Sequence, residues 1–468
     1  MIEPVKSTED YLRAEYWKKP GVKKGVSQFL GSKVLDWEMW EDSDICSEFL
    51  AVSTREKLYR EDKNSPAYLI NPHQFKKAYY DHLGQVELQN SIWQRSNDQE
   101  GEAPSRNLLF WDVELFDNNN PLYPIDDSLN TFSSVDNINQ LITQQFKKYG
   151  LDYQSIMSGR GYNYVSQIND ESPVIEDLLD ISGTPEQTVL DKQKYPNISN
   201  KRQKIVPVKA ELLHMASVRL QQYIFNCIIR EARRAQPLPV EISDKGNYGI
   251  SLDNTAMMYS VENRSIGTLG SPYFIKLEKN NPDYVKTVIK IPVENNDISI
   301  SYKDALDIRS SYEEANALMG DIDCSIPEGS KGVKKLIADY KKSKLYTFHT
   351  KMDECHGDDP DFFEGNYRNY EAIANQTENP DYIKYLMDNA NDLLLKPDNL
   401  DYFIWSIFKS WGGNNDFTVA GHVAGLLRSI YEDPKFEWGS KFIKTDANRY
   451  ARGWVMAVIG QAFEDDNQ

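Results

Sequence analysis

The spacing of apolar and polar positions changes character several times along the chain. The first hundred residues mix aromatic and charged groups without a period, and Lys18-Lys19-Pro20-Gly21-Val22-Lys23-Lys24 reads as a basic, solvated turn. Residues 94–106 are polar and rich in Asn, Asp, Glu, Gly and Ser, as loops are. The run Asn107-Leu108-Leu109-Phe110-Trp111-Asp112-Val113-Glu114-Leu115 follows at once and predicts a buried strand. Strand side chains repeat every second residue, so Asp112 and Glu114 fall on one face of it.

Beyond the turn at Asn118-Asn119-Asn120-Pro121, a helix is predicted over 135–149. Ile138, Leu141, Ile142, Phe146 and Tyr149 share its apolar face, Ser134 or Asp136 can cap its start, and Gly150 lies just past its end. A strand over 153–157 enters Ser158-Gly159-Arg160-Gly161-Tyr162-Asn163. Residues 168–207 have no period and read as an insertion or long loop. A long helix is predicted over 209–235, with Arg230, Arg233 and Arg234 at the end its dipole favours and Pro237 and Pro239 stopping it. A short strand over 249–253 ends in Asp253, and 285–293 alternates as an exposed strand would. Together these predict an α+β fold: a mixed-sheet domain over 1–293, a linker over 294–330, and a helical domain over 331–468.

Residues 331–351 are the most basic stretch, with Lys331, Lys334, Lys335, Lys341, Lys342, Lys344 and Lys351 interleaved with Tyr340, Tyr346 and Phe348. Such a mixture suits a single-stranded backbone with bases stacked on aromatics, and it equally suits a solvated helix face. From about residue 361 the pattern is helical, with amphipathic segments over 382–395, 402–411, 419–431 and 447–462.

Composition narrows the partners. At 468 residues with 12% aromatics, the chain is long enough for two or three domains, each with a sizeable core. No apolar run reaches the length of a membrane span, and Met1-Ile2-Glu3-Pro4-Val5-Lys6 has no apolar core of a secretory signal, so the expectation is a cytoplasmic protein without membrane contact. Cys46, Cys227, Cys324 and Cys355 form no CxxC pair, which fits reduced thiols. A formal charge of −18 weighs against tight, nonspecific DNA binding but leaves room for a local basic groove.

Three pieces carry candidate chemistry. Two carboxylates on one strand face repel each other unless a positive charge joins them, and oxygen ligands suit Mg²⁺ or Mn²⁺. Asp112, Glu114 and Asp253, each at a strand end, would make such a site for one or two ions. The Ser-Gly-Arg-Gly turn, with two glycines and an arginine, is suited to a triphosphate, although an ordinary glycine turn reads the same way.

In order, Phe110-Trp111-Asp112-Val113-Glu114, Ser158-Gly159-Arg160-Gly161-Tyr162-Asn163 and Leu252-Asp253 resemble the three motifs of the archaeo-eukaryotic primase superfamily, in the flavour of phage and plasmid primase-polymerases. The segment from Asn263 through Ser271, with Lys276 beyond, is similar to the basic stretch after the family's third motif. The resemblance spans roughly residues 100–290. It implies a mixed-sheet primase-polymerase core, RRM-like in one half, followed by an all-helical accessory domain. It also implies template-directed nucleotidyl transfer on single-stranded DNA by a two-metal mechanism, in phage- or plasmid-type replication. Asp112, Glu114 and Asp253 would hold Mg²⁺ or Mn²⁺. Ser158, Gly159, Arg160, Gly161 and Asn163 would cradle the incoming dNTP or NTP, with Arg264, Ser271 and Lys276 nearby. The location implied is the host cytoplasm if the gene is a phage's.

Two positions depart from the family pattern. Asn163 stands where the second motif usually has His, and Gly267 where the downstream stretch usually has a second Arg. Both weaken the nucleotide site and leave the acids intact, with Arg160 the first candidate to compensate. The alternative reading is therefore a catalytically weakened, primase-like module that binds nucleic acid within a replication complex. No Walker-type Gly-x-x-x-x-Gly-Lys-Ser/Thr occurs, so a helicase would be a separate partner. A zinc site from His349, Cys355 and His356, with Cys324, matches no closed ligand spacing, and His73, His82, His214 and His422 read as surface or packing residues.

Overall fold

A computed structural model of the chain describes residues 16, 19–30, 106–117, 119–120, 123–169, 171–183, 208–242, 248–253, 269–270, 272–274 and 287–354. The helices expected beyond residue 361, with Cys355, His356, Arg264, Ser271 and Lys276, lie outside them.

The described fold is α+β, built on a six-stranded sheet. Its strands are β1 (Arg106–Asp117), β2 (Gln154–Met157), β3 (Gly161–Asn169), β4 (Val240–Glu241), β5 (Tyr248–Leu252) and, numbering past a separate hairpin, β8 (Ile291–Glu294). The order is β4-β5-β1-β3-β2-β8, and every pairing except the parallel β4–β5 is antiparallel. The hairpin joins β6 (Pro272–Phe274) to β7 (Thr287–Ile289).

β1 lies inside the sheet, and its residues 107–113 are buried on both faces. That explains why it reads as a nearly continuous apolar run rather than an alternating one. Trp111 packs on Phe146 with ring centroids 4.8 Å apart, and Phe146 meets Tyr164 at 5.6 Å. The odd-numbered residues of β1 therefore face the helical layer, and Asp112 and Glu114 face the other way.

Two long helices form much of that layer. Counting from α1 (Pro20–Leu30) and the short α2 (Tyr123–Asp126), they are α3 (Ser128–Tyr149) and, after α4 (Val174–Ile181), α5 (Val208–Ala235). α3 starts seven residues earlier than the expected 135, because Thr131 and Phe132 extend its buried stripe by two turns. It ends where the sequence placed the end. Gly150 adopts φ 64°, and the N–H groups of Gly150 and Leu151 close back onto the carbonyls of Lys147 and Phe146. β3 is fastened to α3 by Tyr162 Oη donating to Asp136 (3.1 Å) and Tyr164 Oη donating to Asn139 (2.9 Å).

Several expectations need correction. The basic turn at 18–24 is largely α1. Proline suits the first turn of a helix because its missing N–H would have had no partner there. The helix packs on α7 (Tyr312–Asp321), with Lys19 paired to Glu313 at 2.6 Å and Asn316 Oδ1 accepting from the Gly21 N–H at 3.0 Å. The linker expected over 294–330 instead contains α6 (Tyr302–Ile308) and α7, each capped by a serine (Ser301 and Ser311), and α6 packs on α3. Its last residues run beside the sheet, where the Gln167 N–H donates to the Pro327 carbonyl and the Gly329 N–H to the Gln167 carbonyl. The insertion expected over 168–207 contains α4. The strand expected over 285–293 is broken at Lys290 into β7 and β8, and Val288, Ile289, Ile291 and Val293 are buried rather than exposed.

The basic-aromatic stretch forms α8 (Ser330–Tyr340) and α9 (Lys344–Glu354). Tyr340 and Phe348 are fully buried, while Lys331, Lys334, Lys335, Lys342 and Lys344 are exposed. The two buried rings are therefore core residues, not a platform on which bases could stack. α8 packs on α3, α4 and α5, so the boundary expected at 330/331 falls inside one packed unit.

Candidate functional site

Backbone register gathers the first two motifs and Asp253. Asp112 on β1 stands opposite Asn163 on β3, and Glu114 stands opposite both Gly161 on β3 and Ser251 on β5. One step past the Val113–Leu252 pair, the Asp253 N–H donates to the Asp112 carbonyl oxygen at 2.9 Å. Asp253, Asp112 and Asn163 thus form a row across three neighbouring strands, on the sheet face away from α3, with Glu114 one pleat further along β1.

Asn163 is already engaged with the acids. Its Nδ2 donates to Asp112 Oδ1 at 2.6 Å, with both side chains buried. An imidazolium here would place a charge against Asp112; the amide supplies a neutral donor instead.

The sequence reading missed Lys290, which interacts electrostatically with Asp112 and Glu114. Burial pushes its ammonium below the usual lysine range, and the two carboxylates pull it back up. The available signal was a single charge inside the apolar run Val288-Ile289-Lys290-Ile291-Pro292-Val293.

Residues 158–161 form a tight hairpin turn between β2 and β3. The Ser158 N–H donates to the Gly161 carbonyl (2.7 Å), the Gly161 N–H donates to Ser158 Oγ (3.2 Å), and the Leu115 N–H on β1 donates to the Arg160 carbonyl (3.0 Å). Gly161 is glycine because of β1: a Cβ there would lie 1.8 Å from the Val113 carbonyl oxygen. Its φ is not positive, so close approach is the reason.

Because the Gly161 N–H turns to the serine hydroxyl, the Ser158 carbonyl is left for another donor. Arg309, at the end of α6, takes it: Nη1 donates to the Ser158 carbonyl and, at 3.3 Å, to the Gly159 carbonyl. The guanidinium lies 4.5 Å from the centre of the Phe132 ring. Its Nε has no hydrogen-bond partner, and among the described residues it makes no ion pair. Burial draws it down to about 10, with Tyr162 opposing, and it stays charged at neutral pH. Arg309 was also missed, and no local pattern marks it; it lies 150 residues from Gly159.

By chemistry and shared face, Asp112, Glu114 and Asp253 suit a hard divalent ion, and the β1 pair favours the charged form of Lys290. They do not close into a ligand set as they stand: among the described residues, no group of three His, Cys, Asp or Glu side chains is placed to hold a metal.

The zinc alternative loses its described members. His349 is buried with both ring nitrogens occupied, Nδ1 by Tyr340 Oη (2.6 Å) and Nε2 by Gln222 Oε1 (2.8 Å). A neutral ring satisfies this if Nε2–H donates to Gln222 and Nδ1 accepts from Tyr340. Beside it, the buried Arg219 makes a bidentate pair with Asp353 at 2.7 and 2.8 Å. The Cys324 thiol is buried, which pushes it up to about 12, far from the thiolate that zinc requires.

No helix among the described residues is long and apolar enough to cross a membrane. Compared with protein-family models, curated proteins and solved structures, the chain matches none of them.

Proposed function

We propose that the chain is a nucleotidyl transferase of the primase-polymerase type, extending or initiating a strand on single-stranded DNA from dNTPs or NTPs. The observation that carries this reading is the convergence, on one sheet face, of Asp112, Glu114 and Asp253 with the 158–161 turn directly beside Glu114. Asp112 and Glu114 on β1 meet Asp253, just past β5, on one face, and strand pairing by itself asks for no carboxylates there. A carboxylate cluster costs stability unless something cationic offsets it.

In this reading Asp112, Glu114 and Asp253 would hold Mg²⁺ or Mn²⁺, which when bound would lower the charge barrier between the attacking oxygen and the phosphate. Asn163 fixes the Asp112 carboxylate through Oδ1. The 158–161 turn and Arg160, beside Glu114, would supply donors to the triphosphate. Single-stranded template, a separate helicase and a host-cytoplasm setting belong to the same proposal, as does a role in phage- or plasmid-type replication.

A second reading, a primase-like binding module with little turnover, is favoured by Lys290 and Asn163. Both direct positive charge or a donor at the acids, as a carboxylate cluster satisfied by its own protein would show. Primer extension on single-stranded DNA with Mg²⁺ or Mn²⁺ separates the two. Product from the native chain that is lost in Asp112→Ala/Glu114→Ala supports the enzyme; template binding without product supports the module.

A further inference from the structure

Arg309 is a charged, fully buried side chain with no acidic partner among the described residues, and both of its hydrogen bonds go to the backbone of the 158–161 turn. In a trans peptide the C=O and the following N–H point in opposite directions. Holding the Ser158 and Gly159 carbonyls toward Arg309 therefore turns the N–H groups of Gly159 and Arg160 the other way. Arg309 stacks on Phe132 of α3, and Phe132 meets Tyr162 edge-on at 5.5 Å, so the guanidinium lies on the helical side of the sheet. The opposite direction is the side of Asp112 and Glu114.

We propose that Arg309 is the positioning residue of a phosphate seat, aiming the Gly159 and Arg160 N–H groups at the triphosphate of an incoming nucleotide from behind the turn. Successive backbone N–H groups facing one way form an anion-binding concavity. A buried cation with no paired carboxylate is costly, and an anion at the N–H ends of the same two peptides would offset that cost. This deepens the nucleotidyl-transfer reading and rests on it.

The test uses the full chain, with dATP and sodium tripolyphosphate as probes. Binding to the native chain, Arg309→Gln and Arg309→Lys is measured by calorimetry, with single-stranded oligonucleotide binding as the control. Losing charge-assisted positioning is expected to weaken both probes about tenfold or more in Arg309→Gln, with Arg309→Lys within about threefold of native and oligonucleotide binding unchanged. Native affinity in both variants would overturn the role of Arg309 alone. Failure of the native chain to bind either probe would overturn the seat and the nucleotidyl-transfer reading together. Should Arg309→Gln fail to fold, amide hydrogen exchange on the native chain decides: dATP is expected to slow exchange at Gly159 and Arg160, and bound dATP without that protection would overturn the proposal.

Discussion

Replacing Gly161 with alanine sets a structural role for that glycine against a ligand-approach role. The added Cβ would stand 1.8 Å from the Val113 carbonyl oxygen. Restoring an ordinary separation of about 3.5 Å requires roughly 1.7 Å of movement. β1 cannot yield, because it is hydrogen-bonded on both sides, to β3 and to β5. The turn must lift instead, straining the Leu115–Arg160 and Ser158–Gly161 bonds. Two lost bonds at about 1 kcal/mol each, plus about 1–3 kcal/mol for overpacking, give about 3–5 kcal/mol. At about 2–4 °C per kcal/mol for a domain of about 200 residues, that lowers the melting temperature by about 6–20 °C. Circular-dichroism melts and urea titrations of Gly161→Ala measure it. An unchanged melting temperature accompanied by loss of dATP binding would refute the reasoning, since the glycine would then serve the ligand and not β1.

Two further predictions concern ionisable groups shifted by their surroundings. Lys290→Met removes the cation that answers to Asp112 and Glu114, and is expected to tighten Mn²⁺ binding about tenfold, as removing about 1.4 kcal/mol of like-charge repulsion would; Mn²⁺ electron paramagnetic resonance reads it, and unchanged affinity would separate Lys290 from any ion held by these acids. The Cys324 thiol is raised from 9.0 to about 12 in the folded chain. The unfolded chain therefore loses that proton first, and the contribution, fully present below pH 9, is lost as pH rises toward 12. By pH 10 the loss is about 1.4 kcal/mol, and Cys324→Ala should fall less between pH 8 and 10 in urea unfolding than the native chain does. Equal pH dependence in the two would contradict the assignment.

What the sequence made legible follows how local each signal is. The β1 run, the α3 stripe ending at Gly150 and the long α5 stripe were readable because burial imposes a period on neighbouring residues. The pairing of Asp112 and Glu114 on one face was readable for the same reason. The linker expected over 294–330 failed because short, polar helices such as α6 and α7 carry little apolar periodicity, and their serine caps look like loop residues. Tyr340 and Phe348 looked available for bases because composition does not say which side of a helix faces the core. Arg309 was invisible because its role depends on tertiary contacts with peptides 150 residues away. Gly161 was seen as a phosphate-loop glycine, whereas its nearest constraint is the backbone of β1.

We propose that metal-dependent strand synthesis takes place on the face of Asp112, Glu114 and Asp253. Its most direct measurement is extension of primed and unprimed single-stranded DNA with Mg²⁺ or Mn²⁺, comparing the native chain with Asp112→Ala/Glu114→Ala. Product is expected from the native chain and none from the double variant, with both proteins folded. Equal product from the two, or none from a native chain that still binds template, would contradict it.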